Sequence, residues 1–447
     1  MGGIYVHIPF CARKCAYCDF VSYPAPDMES LAPAYLHAVL VELRLRQDEL
    51  RRLVPISTVY VGGGTPTCVP RRLLAAFIEQ LLQEAVSAAT GTTATATAAT
   101  VPEVTVEANP GTVNFAGLAA LRAAGANRLS LGFQSLSDSE LAALGRMHSA
   151  ADCLRAFTDA RAAGFDNMSV DLILGSPGQT PASLERTTDS VIALDPEHVS
   201  AYCLSLEPGT PLADAVASGA VAAPDDDSVA DLYNLFVARM AASGRARYEI
   251  SNFARPGFES RHNMGYWRNG QYIGLGVAAH SHLRLGSLAS DSAAASACAP
   301  ALGSASGFAS ASVRNPAFAS ASDPATCWGI RSWNTPSVDD YVDSIGRGCL
   351  PVAGREMRTQ REEARDALMV GLRTADGVDL GALSQEYGVD LVGEYSERFR
   401  RLARRGLVEV SDPALGSGSG AGPALGPHVR LAPNAFLVAN QVFVECV

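Results

Sequence analysis

The chain has no run of about 18 consecutive apolar residues of the kind that spans a bilayer, so any membrane contact is expected to be peripheral at most. Its first ten residues carry no basic leader, no long apolar stretch and no small-residue cleavage site, and they read as the start of a mature cytoplasmic protein. Positive charge is also in short supply. A formal charge of -11 argues against a nucleic-acid coat, and no nucleic-acid partner is expected. A secreted disulfide framework is missing too, because seven of the ten cysteines are scattered singly at 68, 153, 203, 298, 327, 349 and 446 and read as small buried residues. What the chain does have is length. With 447 residues, 48% of them hydrophobic, it can bury one large core and one or two small ones.

From the start to residue 255 a short β-branched or apolar run alternates with a turn and a helical stretch, the pattern of parallel βα units. The expected strands are Ile4 to Ile8, Thr58 to Val61, Val104 to Glu107, Arg128 to Leu131, Met168 to Leu174 and Val199 to Leu204. The helices between them include Glu29 to Leu53, Arg71 to Ala85, Ala116 to Ala123 and Pro181 to Leu194. Six units predict an α/β fold, an incomplete (β/α)6 barrel open on one side, with its chemistry at the carboxyl ends of the strands. Residues 256–354 read as a connecting region. Residues 355–447 read as a small C-terminal winged-helix-like α+β domain of three helices and a hairpin. Residues 86–100 and 286–326, rich in Ala with Ser, Thr or Gly, are expected to be mobile surface excursions, and residues 416–426 read as a Gly/Ser/Ala/Pro linker. Arg398, Arg400, Arg401, Arg404 and Arg405 form the one dense basic cluster, read as a solvated helix face because acidic residues are interspersed with it.

Three cysteines are not scattered. Cys11, Cys15 and Cys18 follow the first strand closely, so three thiolates project from one loop at the reactive edge of the sheet. Three thiolates can hold three irons of a cubane and leave the fourth open, while a zinc site completed by a distant ligand and metal-free thiols are the alternatives. The second strand ends in Gly62-Gly63-Gly64-Thr65-Pro66, where glycines let a ligand approach the backbone and its N–H groups. Glu107, Gln134, Arg146 and Asp171 recur along the following units. Carboxylates can take an ammonium or ribose hydroxyls, and an arginine can clamp a carboxylate.

Assembled, these stretches resemble the radical-SAM family that contains oxygen-independent coproporphyrinogen III oxidase and the haem chaperones. The resemblance runs through Tyr5-Val-His-Ile-Pro-Phe-Cys11, Tyr60-Val-Gly-Gly-Gly-Thr-Pro66, Glu107-Ala-Asn-Pro110, Arg128 to Ser135, Leu144 to His148, Val170 to Gly175 and Pro177 to Thr180. It implies a 4Fe-4S cluster on Cys11, Cys15 and Cys18, and S-adenosylmethionine (SAM) contacts at Tyr5, Tyr17, Gly63, Gly64, Thr65, Glu107, Gln134, Arg146 and Asp171. In that family an electron from the cluster cleaves the sulfonium of SAM. The oxidases carry a further cysteine two places after the third cluster ligand, where this chain has Phe20, and an N-terminal extension that this chain lacks. Both differences point to the chaperone branch, as does His262-Asn263-Met-Gly-Tyr266-Trp267, which is similar to a chaperone motif and implies haem contact. An imidazole can ligate haem iron and aromatic rings can pack on a porphyrin; His280, His282 and the cysteines remain open as axial ligands. The expected function is a cytoplasmic haem chaperone that binds haem and a SAM-ligated cluster and passes haem to acceptor proteins, respiratory ones included. The alternatives are the coproporphyrinogen oxidase itself and a radical-SAM enzyme acting on RNA.

Overall fold

The computed structural model describes residues 2–25, 27–53, 55–90, 101–222, 225–285, 327–411 and 426–446. Six strands, Gly2–Ile8, Ile56–Gly63, Glu103–Ala108, Arg128–Gln134, Met168–Leu174 and His198–Cys203, run parallel, each paired with the next in chain order. Parallel strands need crossover helices, which bury the outer face of the sheet. Met28–Leu45, Arg71–Thr90, Phe115–Ala123, Ala150–Ala162 and Pro181–Leu194 supply them, packing residues such as Leu43, Leu81, Leu118 and Phe157 into one core with Val6, Val61 and Leu131 of the strands. Local sequence starts these helices: Ser149 with Asp152, and Thr180 with Ser183, form reciprocal caps. Residues 86–90, expected in an excursion, instead complete the helix Arg71–Thr90, in keeping with the helix propensity of their alanines. Residues 91–100 lie outside the described residues.

The sheet does not end with the sixth unit. Gln271–Leu275 pairs parallel with the first strand and His280–Arg284, Cys327–Asn334 and Val352–Thr359 add on antiparallel, while Asn252–Ala254 and Ala246–Arg247 extend the opposite edge. The region read as a connection therefore builds one wing of a twelve-stranded sheet. A buried carboxylate fixes that wing to the barrel: Glu42 accepts bonds from Arg46, Asn334, Tyr341 and the Gly276 N–H at 2.6–2.9 Å. The stretch 286–326 lies outside the described residues, but its flanking strands are neighbours in register from His280–Trp333 to Arg284–Gly329.

The C-terminal unit has its own core, including Leu368, Tyr387, Tyr395, Phe399 and Val429. Helices Gln360–Gly371, Leu380–Tyr387 and Leu391–Arg404 pack beside the strands Val408–Ser411, His428–Leu431 and Val378–Asp379. The expected hairpin thus carries a third strand, and all but Gly426 of the 416–426 segment lies outside the described residues. Each arginine of the basic cluster meets an acceptor: Arg400 and Arg404 pair with Glu397, Arg401 with Glu445, Arg398 with the Glu445 carbonyl and Arg405 with Gln441. Among the described residues no helix is long and apolar enough to cross a membrane.

Candidate functional site

Alternate residues of a strand face the same side, so the concave face of the barrel collects inward residues of the second to sixth parallel strands. They enclose a cavity of about 440 Å³, closed at one end by the cysteine loop. The loop is shaped by its backbone. Ala16 N–H donates to the Leu144 carbonyl at 3.2 Å, and the Ala16 carbonyl accepts from Leu212 N–H at 2.8 Å. Cys11 is buried and Cys15 and Cys18 are half-buried; none is in a disulfide and all three line the cavity. Arg146 reaches Cys15 Sγ at 3.2 Å, and Cys11 Sγ lies 3.6 Å from Thr65 Oγ1.

The glycine loop meets the cysteine loop back to back. Gly64 and Thr65 N–H groups donate to the carbonyls of Ile8 and Phe10, and a side chain on Gly64 would collide with Phe10 O at 2.7 Å. Gly63 has φ +109°, open only to glycine, which aims its N–H at Glu107 Oε2, 3.1 Å away. Tyr60 donates to the other oxygen of Glu107 at 2.6 Å. Burial, reinforced by Asp171 and opposed by these donors, leaves the Glu107 carboxyl pushed up to about 7. Asp171 accepts from Ser130 at 2.8 Å and Ser169 at 2.9 Å. Arg146 donates to the Gly132 carbonyl at 2.9 Å and to Asn109, which itself donates to Thr65 at 2.7 Å. Gln134 closes its strand at φ +67°, a conformation that turns the chain sharply at the cavity edge.

The far end is plugged by the helix Arg261–Trp267. Glu103 holds its start by accepting from the N–H groups of Arg261 and His262 at 3.1 Å each. His262 is 3% exposed, with Nδ1 2.8 Å from Thr58 Oγ1, Nε2 2.9 Å from Tyr266 OH and its ring stacked on Tyr60. Burial, with the charge of Arg128, pushes it down to about 3. Any metal bond by His262 must displace one of these partners. Trp267 lies under Arg373 of the C-terminal unit, 4.3 Å from the ring centre.

The expected residues divide accordingly. Cys11, Cys15, Cys18, Tyr17, Gly63, Gly64, Thr65, Glu107, Gln134, Arg146, Asp171 and Asn263 all line one cavity. Tyr5 stands behind it, its hydroxyl 3.0 Å from His7 Nδ1, and His262, Tyr266 and Trp267 form the plug beneath it. Sequence reasoning missed His7, whose Nε2 donates to the Val21 carbonyl at 2.7 Å and ties the first strand to the cysteine loop. It also missed Asn109, Arg128, His198 and Tyr202. The signal for His7 was its position two residues after Tyr5 on a strand that ends at the cysteines.

The residues fit a cubane cluster. Burial raises the Cys11 and Cys18 thiols, so cluster assembly has to displace their protons.

Comparison with known proteins agrees with this geometry. The Radical SAM superfamily model matches residues 5–191, and that of the HemN C-terminal domain matches residues 359–415. The heme chaperone HemW of Mycobacterium tuberculosis (strain ATCC 25618 / H37Rv) is 42% identical over 382 residues, covering 85% of this chain and 84% of that protein. The heme chaperone HemW of Bacillus subtilis (strain 168) is 30% identical over 420 residues, covering 93% and 94%. Among solved structures, coproporphyrinogen III oxidase (HemN) from Escherichia coli, a radical SAM enzyme, matches with a TM-score of 0.72 over 100% of this chain and 89% of its own, at 19% identity, which shows a shared fold. The motifs, the open barrel and the full-length relatives together place the chain: it belongs to the HemW family of the radical SAM superfamily.

Proposed function

We propose that this protein is a cytoplasmic haem chaperone that keeps a SAM-ligated 4Fe-4S cluster in its barrel, binds haem and passes it to acceptor proteins, respiratory ones among them. When bound, the cluster supplies the electron that can cleave the sulfonium of SAM. The chain's own residues do the holding. Cys11, Cys15 and Cys18 are the cluster ligands, Glu107 takes the amino group of SAM, Arg146 its carboxylate, and Gln134 and Asp171 its ribose hydroxyls.

The observation that carries the reading is the cavity mouth. Phe20 lines the cavity 69% exposed, as Tyr202 and Leu204 also line it, in the position where the oxidases carry a further cysteine. An exposed aromatic rim presents a flat apolar surface to a porphyrin. The His262 to Trp267 motif supports haem contact from below. His280 offers a second ligand: it is exposed, stacks on Trp333 with ring centres 5.9 Å apart, and among the described residues its ring makes no hydrogen bond.

The test is anaerobic cluster reconstitution followed by parallel haem titration and coproporphyrinogen III turnover with SAM and a reductant. Stoichiometric haem binding without turnover is expected. Turnover to protoporphyrinogen would make the protein an oxidase. Haem spectra of His262→Ala and His280→Ala then assign the axial ligand, since only the true ligand's loss moves the Soret band.

A further inference from the structure

Arg128 opens its strand six positions before Gln134, about 20 Å of extended chain from the SAM edge, and it lines the floor of the cavity. It is 2% exposed, and its Nε is buried without a partner. Among the described residues its guanidinium makes no ion pair and no hydrogen bond. A buried cation is costly unless something neutralises it. The carboxylates that share the cavity are already engaged, Glu107 by Tyr60 and Gly63 and Asp171 by Ser130 and Ser169. The nearby histidines do not supply a counter-charge either. His198 is held between Ser169 and Tyr248, both at 2.8 Å, and burial, followed by the charge of Arg128, keeps both His198 and His262 neutral.

A second unengaged group faces the same space. The Asn263 side chain lines the cavity from the plug helix and, among the described residues, makes no hydrogen bond. We infer that Arg128 and the Asn263 amide form a carboxylate-binding subsite on the cavity floor, separate from the SAM contacts. A planar guanidinium fork beside an amide donor matches a carboxylate. The single charge without a bonded counter-ion, with Glu107 and Asp171 in the walls, favours a monoanion over a phosphate dianion. The carboxylate belongs either to a small free acid or to the acidic arm of a larger ligand. For haem that arm is a propionate, and this version rests on the chaperone reading above.

The experiment uses the full chain with its cluster reconstituted and SAM present, as wild type, Arg128→Gln and Asn263→Ala. One arm compares sodium propionate with sodium chloride at equal ionic strength, read as a shift in Tm. The other compares haem with haem dimethyl ester by absorbance titration. A free-acid ligand shows as a propionate-specific rise in Tm that Arg128→Gln abolishes and Asn263→Ala reduces. A propionate arm shows as haem binding roughly tenfold or more tighter than the ester in wild type, and equally in Arg128→Gln. In either case Arg128→Gln melts no lower than wild type without ligand, because the lost group had no partner. Wild type that discriminates in neither arm overturns the subsite, as does a destabilised Arg128→Gln that keeps wild-type discrimination. If wild type binds neither haem nor its ester, the chaperone reading fails while the propionate arm still decides the subsite.

Discussion

Towards the mouth of the barrel Arg146 and Glu107 are committed to neighbours, whereas on the floor a cation and an amide face open space. Arg146 donates from both terminal nitrogens to Gly132, Asn109 and Cys15, and Glu107 is gripped by Tyr60 and the Gly63 backbone. Arg128, on the same strand as Gly132, has no such partner among the described residues. The difference teaches that similar residues in one cavity serve two ends. Committed groups hold a geometry ready before a ligand arrives; an uncommitted buried charge is complete only once something arrives.

The largest effect is expected at the mouth. Cys15→Ser should lose the cluster and all SAM cleavage, and an intact iron-sulfur absorbance and EPR spectrum in that variant would remove the cysteine assignment. Next comes Glu107→Gln, which should weaken SAM binding by roughly ten- to a hundredfold in calorimetric titration. Because the wild-type carboxyl takes up a proton near pH 7, its SAM affinity should fall as pH drops through about 7, and the variant should show no such dependence.

The floor should govern acid stability. His262 titrates near 3 in the fold against an ordinary 6.5, so the unfolded chain binds a proton that the native chain refuses. Its contribution is complete above pH 6.5 and is lost as pH falls towards 3, by on the order of a few kcal/mol. His198 and His148 are shifted the same way, chiefly by burial. Melts of His262→Gln should show a shallower decline across this window, and an unchanged slope would remove the floor from the account. Smallest of all, Arg404→Ala, an exposed partner of Glu397, should alter stability by less than about 0.5 kcal/mol in urea titration, because exposed pairs contribute little.

The mouth was legible in the sequence, whereas of the floor only the His262 to Trp267 motif was. Residues of the mouth sit in contiguous motifs at strand ends, so Gly62 to Thr65 or Cys11 to Cys18 declare themselves together. Floor residues such as Arg128 and His198 begin their strands singly, about seventy positions apart, and only sheet register brings them to one end. The parallel strands were readable as apolar runs. The antiparallel wing was hidden because its pairing is non-local, with Gln271–Leu275 joining the first strand across more than half the chain. Glu42, deep in a helix, gave no hint that its carboxylate would bind four partners, since a helical pattern marks a face and not a contact.

The join between the strands His280–Arg284 and Cys327–Asn334 has a consequence for inheritance. The two strands are hydrogen-bonded neighbours, and Leu285 N–H meets the Trp328 carbonyl at 2.8 Å, so whatever lies between leaves and rejoins the sheet at one point. Closing a chain between adjacent ends costs only about 0.6 kcal/mol more for each doubling of its length. Evolution can therefore lengthen or trim this stretch almost without penalty, and an engineer could graft a reporter or a binding module there while leaving the barrel's chemistry alone.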